Sequence, residues 1–166
     1  MIDFAAIDFE YPEAKPEKAY KVCLLVVMNG HIIQEFQSYF SLSDFLDSDM
    51  PIDVKNKCEV APPFGSIEKV IGDMVLNLPI VSCNSEAVKK IFEFEHKRIK
   101  LPIPHGIENI INPCDILGLS FEEICKKSGI DVPEQGSLID KVFDCALLYT
   151  KINGKELVMY KEKDLD

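Results

Sequence analysis

The chain has 166 residues, of which 47% are hydrophobic and 28% charged, and this length can bury the core of one globular domain. Its formal net charge is -10, and its one basic cluster spans residues 97–100. Proteins that grip long stretches of nucleic acid carry a basic face. Any nucleic-acid ligand of this chain is therefore expected to be held over a few nucleotides only, with metal ions offsetting the acids.

The hydropathy pattern and the cysteines narrow the class of protein further. No apolar run approaches membrane-spanning length, and the N-terminus lacks the pattern of a secretory signal. We predict one cytoplasmic domain over residues 1–166 that does not contact a membrane. The six cysteines have no paired metal-ligand spacing and are predicted to be reduced core thiols; they are Cys23, Cys58, Cys83, Cys114, Cys125 and Cys145.

The first forty residues have the pattern of a β-meander. We predict strands over residues 2–9, 20–28 and 31–40. Asn29-Gly30, between the second and third strands, is a strong signal for a two-residue hairpin turn.

The first strand ends in two carboxylates, Asp8 and Glu10. Side chains alternate across a strand, so both acids point to one side and Phe9 points to the other. Adjacent acids repel each other unless a cation lies between them, and carboxylates prefer hard ions such as Mg²⁺ and Mn²⁺. The spacing alone is equally consistent with a strand that runs into a solvated acidic turn.

The rest of the chain alternates helices and strands. Residues 43–63 are predicted to be a loop with one short helical turn, Ser66 to cap a helix over 67–76, and 79–82 to form a buried strand. Three further helices are predicted: one over 85–99, one that Ser120 caps and Gly129 ends, and one over 138–152. A last strand or edge hairpin is predicted over 155–161. This order predicts an α/β sheet with an antiparallel edge and the Asp8 pair at the carboxyl end of the sheet.

Several segments, taken in this order, resemble the DnaQ-like branch of the DEDD 3′-5′ exonucleases, which includes the proofreading epsilon subunit of bacterial DNA polymerase III. The similar segments are Asp3 to Glu10, Val22 to Phe40, Ala61-Pro62-Pro63-Phe64, Ile80 to Asn84, Leu119 to Ile130 and Asp144-Cys145-Ala146. The resemblance covers nearly the whole length. It implies an RNase H-like mixed sheet, three antiparallel strands followed by parallel ones, flanked by helices.

The resemblance also implies a function and a site. Members of this family hold two Mg²⁺ or Mn²⁺ ions with four acids and hydrolyse phosphodiesters at the single-stranded 3′ end of DNA or RNA. Position by position, it makes Asp8, Glu10 and Asp144 the metal ligands and catalytic acids. It makes Phe9, Tyr11 and Asn84 the substrate contacts, although Asn84 is also a suitable cap for the helix that follows.

Two of the family's functional positions are changed. The second-motif Asp corresponds to Val88, and the general-base His corresponds to Ile139. In the branch that uses Tyr as the base, the position is Asp140, which is either a substitute metal ligand or an exposed helix acid. We therefore predict a partial site that binds metal weakly and has weak or no nuclease activity. The alternative is a non-catalytic module that binds a partner protein or a nucleic-acid end, with a homodimer as a further possibility. His96 and His105 are predicted to be solvated.

Overall fold

The computed structural model describes residues 2–12, 15–41, 50–131 and 136–157. The strands are β1 (Phe4–Glu10), β2 (Lys21–Met28), β3 (His31–Tyr39) and β4 (Ile80–Val81). The helices are α1 (Ile52–Glu59), α2 (Phe64–Val75), α3 (Ser85–Ile99), α4 (Pro113–Leu117), α5 (Phe121–Ser128) and α6 (Leu138–Ile152), with 3-10 turns at Pro16–Lys18 and His105–Asn109. No helix in this described part of the chain is long and apolar enough to cross a bilayer.

The described strands form one mixed sheet with the spatial order β3-β2-β1-β4. β1 and β3 run antiparallel to β2, whereas β4 runs parallel to β1. Beyond β4, Ile111 extends the sheet: its N–H donates to the Ile80 carbonyl at 2.8 Å, and its carbonyl accepts from Ser82 at 3.0 Å. The predicted mixed sheet is confirmed.

The β2–β3 turn forms as predicted. Asn29 and Gly30 both have positive φ, 54° and 78°, as a two-residue hairpin turn requires. A Cβ on Gly30 would lie 2.8 Å from the Glu156 carbonyl oxygen, so the turn is also closely covered by the segment after α6. The Asp3 carboxylate accepts a hydrogen bond from the Asn29 N–H at 2.8 Å and ties the turn to the start of β1.

The sheet is covered on both faces, and its residue alternation decides which face carries the acids. Ala5, Ile7 and Phe9 pack into the cluster formed with α2 and α3, whereas Phe4 and Ala6 pack into the cluster formed with α6. Since side chains alternate along a strand, the even-numbered acids of β1 lie on the α6 face. The predicted shared side of Asp8 and Glu10, opposite Phe9, is confirmed.

Helix ends that depend on local capping match the predictions closely. Ser120 and Glu123 form a capping box at the start of α5, and Gly129 ends this helix with φ 66°. The bounds of α6 are those predicted. A second capping box, between Ser137 and Asp140, begins α6 and was not predicted.

Other predictions need correction. The segment predicted as a loop contains the two-turn helix α1, and α2 begins at Phe64 after Pro63, so Ser66 lies inside the helix and does not cap it. Proline fits the start of a helix because its missing N–H would be unpaired there anyway. The short helix α4 was missed. Residues 155–157 are not in a strand, and the rest of the predicted last strand, like residues 43–49, lies outside the described residues.

The prediction that His96 is solvated is wrong. The side chain is 1% exposed and lies on α3 one turn after Phe92, on the buried face of that helix. Its Nε2 lies 2.8 Å from Glu68 Oε1 on α2, although the two atoms are not aligned as a hydrogen bond, and its Nδ1 lies 3.2 Å from the Leu101 carbonyl oxygen. The His105 side chain lies outside the description.

Candidate functional site

The candidate site lies where β1 ends on the α6 face of the sheet. Asp8 is paired with Cys23 across the β1–β2 ladder, and Glu10 is paired with Lys21. Asp8 Oδ1 accepts a hydrogen bond from the backbone N–H of Phe9 at 2.8 Å. This bond holds the carboxyl group close to the strand end, which is the position that the sequence predicted for a ligand site.

Asn84 links three parts of the site. It stands at the N-cap position of α3, but its side chain makes no capping bond, so the predicted cap is wrong. Instead, Asn84 Nδ2 donates to the Tyr11 hydroxyl at 2.8 Å, and the amide lies close enough to the Asp8 carboxyl to lower its pKa slightly. The Asn84 backbone N–H is held by Ser82 Oγ at 3.1 Å, which fixes the start of the helix without the side chain. The side chain is thereby available to the site.

A pocket of about 130 Å³ opens beside these groups. This volume is below the roughly 300–1,000 Å³ of pockets that enclose whole small-molecule ligands, so it suits a terminal hydroxyl, a phosphate or a hydrated ion. The pocket lies between β1, the start of α3 and the first turns of α5 and α6. Its lining residues are Ile7, Asp8, Cys83, Asn84, Phe121, Lys141 and Cys145.

Burial dominates the electrostatics of Asp8. Removal from water raises the pKa of this carboxyl from 3.8 to about 6, while the Phe9 N–H, the Lys141 ammonium and the Asn84 amide each lower it by less. A carboxyl group that ionises near neutral pH can accept or release a proton there, and its anion gains strongly from a bound cation. Asp8 is the acid that lines this pocket, and its raised pKa suits it to proton exchange or cation binding.

Asp144 occupies a different environment. It is 8% exposed on α6, and its pKa is raised by burial and by the nearby Asp140 carboxylate. It also lies close enough to Cys125 on α5 to raise the pKa of that thiol. Lys141 and Cys145, one turn apart on α6, are the residues that this helix presents to the pocket. Asp144 directly precedes Cys145, which places it about 100° away around the helix, on the side that lies near Cys125 of α5.

The described residues do not assemble a metal-binding set. No group of three or more His, Cys, Asp or Glu side chains within them could hold a metal ion, so Asp8, Glu10 and Asp144 do not meet at one cation site. Asp140 uses its carboxylate to accept hydrogen bonds from the Ser137 hydroxyl at 2.7 Å and the Ser137 N–H at 3.0 Å. The donor set at the pocket, Asp8 with Glu10 beside it, does not fit the two-ion centre that the resemblance implies.

Two further predicted positions are core residues. Phe9 is 3% exposed and packs edge-on against Phe40 and Phe92, so its ring is not available to stack on a base. The prediction of Phe9 as a side-chain contact to substrate is corrected on this ground. Val88 is 0% exposed and belongs to the α2–α3 cluster, on the other face of the sheet from Asp8.

Sequence reasoning missed Lys141, Phe121 and the cysteines of the pocket. The spacing of Lys141 and Cys145, four residues apart on a correctly predicted helix, was a usable signal that both share one helix face. Nothing local to Phe121 or Cys83 indicated the pocket, because the packing of α5 and β4 brings them there.

A larger cavity lies on the opposite face of the sheet. It has a volume of about 300 Å³ and lies between α2, the end of β4 and the second 3-10 turn, with Ile71, Ile80, Phe92 and Ile107 among its lining residues. Its walls are mainly apolar, and none of the candidate site residues reaches it.

Comparisons with known proteins agree on the fold. Neither a family model nor a curated protein matches the chain. Among solved structures, it is similar to the nuclease domain of 3'hExo, a DEDDh family member, bound to rAMP, with a TM-score of 0.70, 15% identity and coverage of 96% of each chain. It is also similar to a 3'-exonuclease that recognises the histone mRNA stem-loop, with a TM-score of 0.72 and 15% identity over 93% of this chain and 65% of that one.

A third similarity is to exonuclease I, with a TM-score of 0.72 and 11% identity over 93% of this chain and 42% of that one. The chain therefore spans less than half of exonuclease I but nearly the whole of the 3'hExo nuclease domain, 96% of it. These likenesses define the class: the chain has the RNase H-like, DnaQ-like fold of the DEDDh 3′-exonucleases.

Proposed function

We propose that this chain is an exonuclease-like domain that holds the 3′ end of a single-stranded DNA or RNA in the Asp8 pocket, with weak or no hydrolysis of the phosphodiester. One observation carries the proposal. Asp8 and Asn84 line one pocket at the end of β1, where the Asn84 amide is hydrogen-bonded to the Tyr11 hydroxyl, in a fold shared with enzymes that act on 3′ ends.

The pocket offers suitable groups for a chain terminus. A terminal ribose presents hydroxyls that both donate and accept hydrogen bonds, which complements the Asp8 carboxylate and the Asn84 amide. The Lys141 ammonium lines the same pocket and can pair with a phosphate oxygen. Because the whole chain carries a net charge of -10, this contact must be local, and affinity for a short oligonucleotide is expected to be modest.

The chain's own residues supply little catalysis. Ile139 stands where the resemblance places a general base, and loss of such a base costs about 10²–10⁴-fold in rate. A Mg²⁺ or Mn²⁺ ion on Asp8 and Glu10 would neutralise charge on a phosphate, but these two acids do not form the four-acid centre. The predicted alternative is that the domain binds a nucleic-acid end without cleaving it. Two features favour this alternative: the Lys141 ammonium lines the pocket, and the pocket lacks a third acid among the described residues.

The proposal is tested by fluorescence anisotropy with 5′-labelled six-nucleotide DNA and RNA strands, ending in either a 3′-hydroxyl or a 3′-phosphate. The wild type is expected to bind the hydroxyl-ended strand more tightly, and Lys141→Ala to weaken binding several-fold. Lys69→Ala removes the same charge from the exposed side of α2 and should leave binding unchanged. Equal loss in both variants, or no binding at all, would contradict the proposal.

A further inference from the structure

Two cysteines, Cys83 and Cys145, line the Asp8 pocket, and a third, Cys114, lies near Cys83. Cys83 follows β4, Cys114 lies in α4, and Cys145 lies in α6. The Cys83 thiol donates toward Cys145 Sγ, and these two sulfur atoms are 2.9 Å apart. Cys114 lies near enough to Cys83 for the two thiols to influence each other's pKa. Cys83 therefore lies near both of the other thiols, and it is Cys145 with which it makes a direct sulfur contact.

We propose that Cys83 and Cys145 are a redox modification site, which a peroxide converts to an intramolecular disulfide. The short sulfur–sulfur distance carries the proposal, because a disulfide needs two side chains that already face each other. A metal site is the competing use of clustered thiols. The described residues contain no group of three ligands that could hold a metal ion, which leaves the dithiol as the chemistry the geometry supports.

The reaction balances in two steps. The Cys83 sulfur attacks one oxygen of hydrogen peroxide, the O–O bond breaks, and Cys83 sulfenic acid and water are formed. The Cys145 sulfur then attacks the sulfenic sulfur, and the S–O bond breaks. The departing hydroxide takes the thiol proton and leaves as a second water. Cys83 is the entry point because it is half-buried, whereas Cys145 is buried in the α6 cluster.

The surroundings of Cys83 also determine how fast peroxide should oxidise its thiol. The hydrogen bond to Cys145 and, after it, burial raise the pKa of the Cys83 thiol, so little reactive thiolate is present at neutral pH. Oxidation is therefore expected to be slow at neutral pH and faster at higher pH.

The disulfide would join two segments that carry the pocket. Cys83 immediately precedes Asn84, and Cys145 lines the pocket with Lys141. A bond between them would close a loop across 62 residues of sequence and fix the start of α3 against α6. Its effect on ligand binding rests on the proposed function, whereas formation of the disulfide does not.

The test uses the full chain, reduced and then treated with hydrogen peroxide at pH 8. Unreacted thiols are alkylated in denaturant, and the unreduced protein is mapped by peptide mass spectrometry. We expect a Cys83–Cys145 cross-linked peptide, four of the six thiols still free, and a melting temperature raised by about 3 °C or more that a reducing agent reverses. Cys58→Ser, in the buried face of α1, should behave as the wild type does.

Cys145→Ser and Cys83→Ser should each abolish both the cross-link and the rise in melting temperature. Should one variant fail to fold, the other and the wild-type peptide map still decide the question. The proposal is overturned if Cys83 stays free to alkylate in oxidised, folded protein. It is also overturned if Cys83 joins only Cys114. If the cross-link forms but 3′-end binding is absent in both redox states, the disulfide stands and the proposed function fails.

Discussion

The Asn84 side-chain amide donates a hydrogen bond to the Tyr11 hydroxyl, 2.8 Å away, and lines one pocket with the Asp8 carboxyl. The residue at the start of α3 thereby connects the chain just after β1 with the acid at the end of that strand. This contact joins residues 73 positions apart in the sequence and defines one wall of the candidate site.

The first prediction measures this contact. Tyr11→Phe removes only the hydroxyl, so it should lower the free energy of unfolding by about 0.5–1.5 kcal/mol and leave the fold intact. A double-mutant cycle with Asn84→Ala, followed by urea denaturation, should show a coupling energy of at least about 0.5 kcal/mol. Strictly additive effects would mean that the two side chains do not interact in solution.

The second prediction is a pH dependence that comes from Asp8. Burial raises the pKa of this carboxyl from 3.8 to about 6 in the folded protein, so the folded state holds the proton more tightly than the unfolded state. The associated stabilisation is full below pH 3.8 and is lost as pH rises through about 6. In the absence of metal, Asp8→Asn should therefore be more stable than the wild type at pH 7, by about 1–3 kcal/mol.

Urea denaturation in EDTA at several pH values from 4 to 7 checks this expectation. The difference in unfolding free energy between Asp8→Asn and the wild type should grow across that range. Asp73→Asn, an exposed change on α2, serves as the control and should show no such growth. A constant difference from pH 4 to 7 would show that Asp8 is not shielded from water.

The third prediction concerns metal. Millimolar Mn²⁺ at pH 7 should raise the melting temperature of the wild type by about 1–3 °C through weak binding at one site on Asp8 and Glu10. Asp8→Asn should lose this shift, and the Asp73→Asn control should keep it. Calorimetry that gives two ions per chain would refute the one-site expectation, and the absence of any shift would mean that the acids do not bind metal.

The fourth prediction concerns the changed family positions. Val88→Asp places a carboxylate at a 0% exposed site in the α2–α3 cluster, so it should cost about 3 kcal/mol or more of stability. Val70→Asp, at a 38% exposed position on α2, is the matched control and should cost much less. Chemical denaturation of both variants decides the comparison.

Restoring activity should also fail. Val88→Asp combined with Ile139→His rebuilds the acid and base that the family resemblance calls for, but Val88 belongs to the cluster on the face of the sheet away from Asp8. We expect no Mn²⁺-dependent shortening of a 5′-labelled oligonucleotide by the folded double variant. Shortening by that variant, and not by the wild type, would show that an intact substrate groove surrounds a site that lacks only these two residues.

Local signals made much of the fold predictable from the sequence. Asn29-Gly30, Ser120 with Gly129, and the bounds of α6 follow from turn and capping chemistry that acts over a few residues. The alternation of β1 placed Asp8 and Glu10 on one face correctly. By contrast, the burial of His96 was not predicted, because it follows from the packing of α3 against other parts of the fold, including Glu68 on α2.

The candidate site was less predictable than the fold. Asp8 and Asn84 could be found in the sequence, since each stands at the end or start of a predicted element. The orientation of Asp144 depends on how α6 is rotated against α5, and a rotation of about 100° separates it from the pocket-lining Cys145. Packing of whole helices sets that rotation, and no short sequence pattern records it.

A crystal structure of the chain with a short 3′-hydroxyl oligonucleotide and Mn²⁺ tests the central claim most directly. The account predicts that the terminal nucleotide lies against Asp8 and Asn84, with a backbone phosphate near Lys141 and at most one ion on Asp8 and Glu10. An oligonucleotide bound on another face of the domain would contradict it. Two ions held jointly by Asp8, Glu10 and Asp144 would contradict it as well.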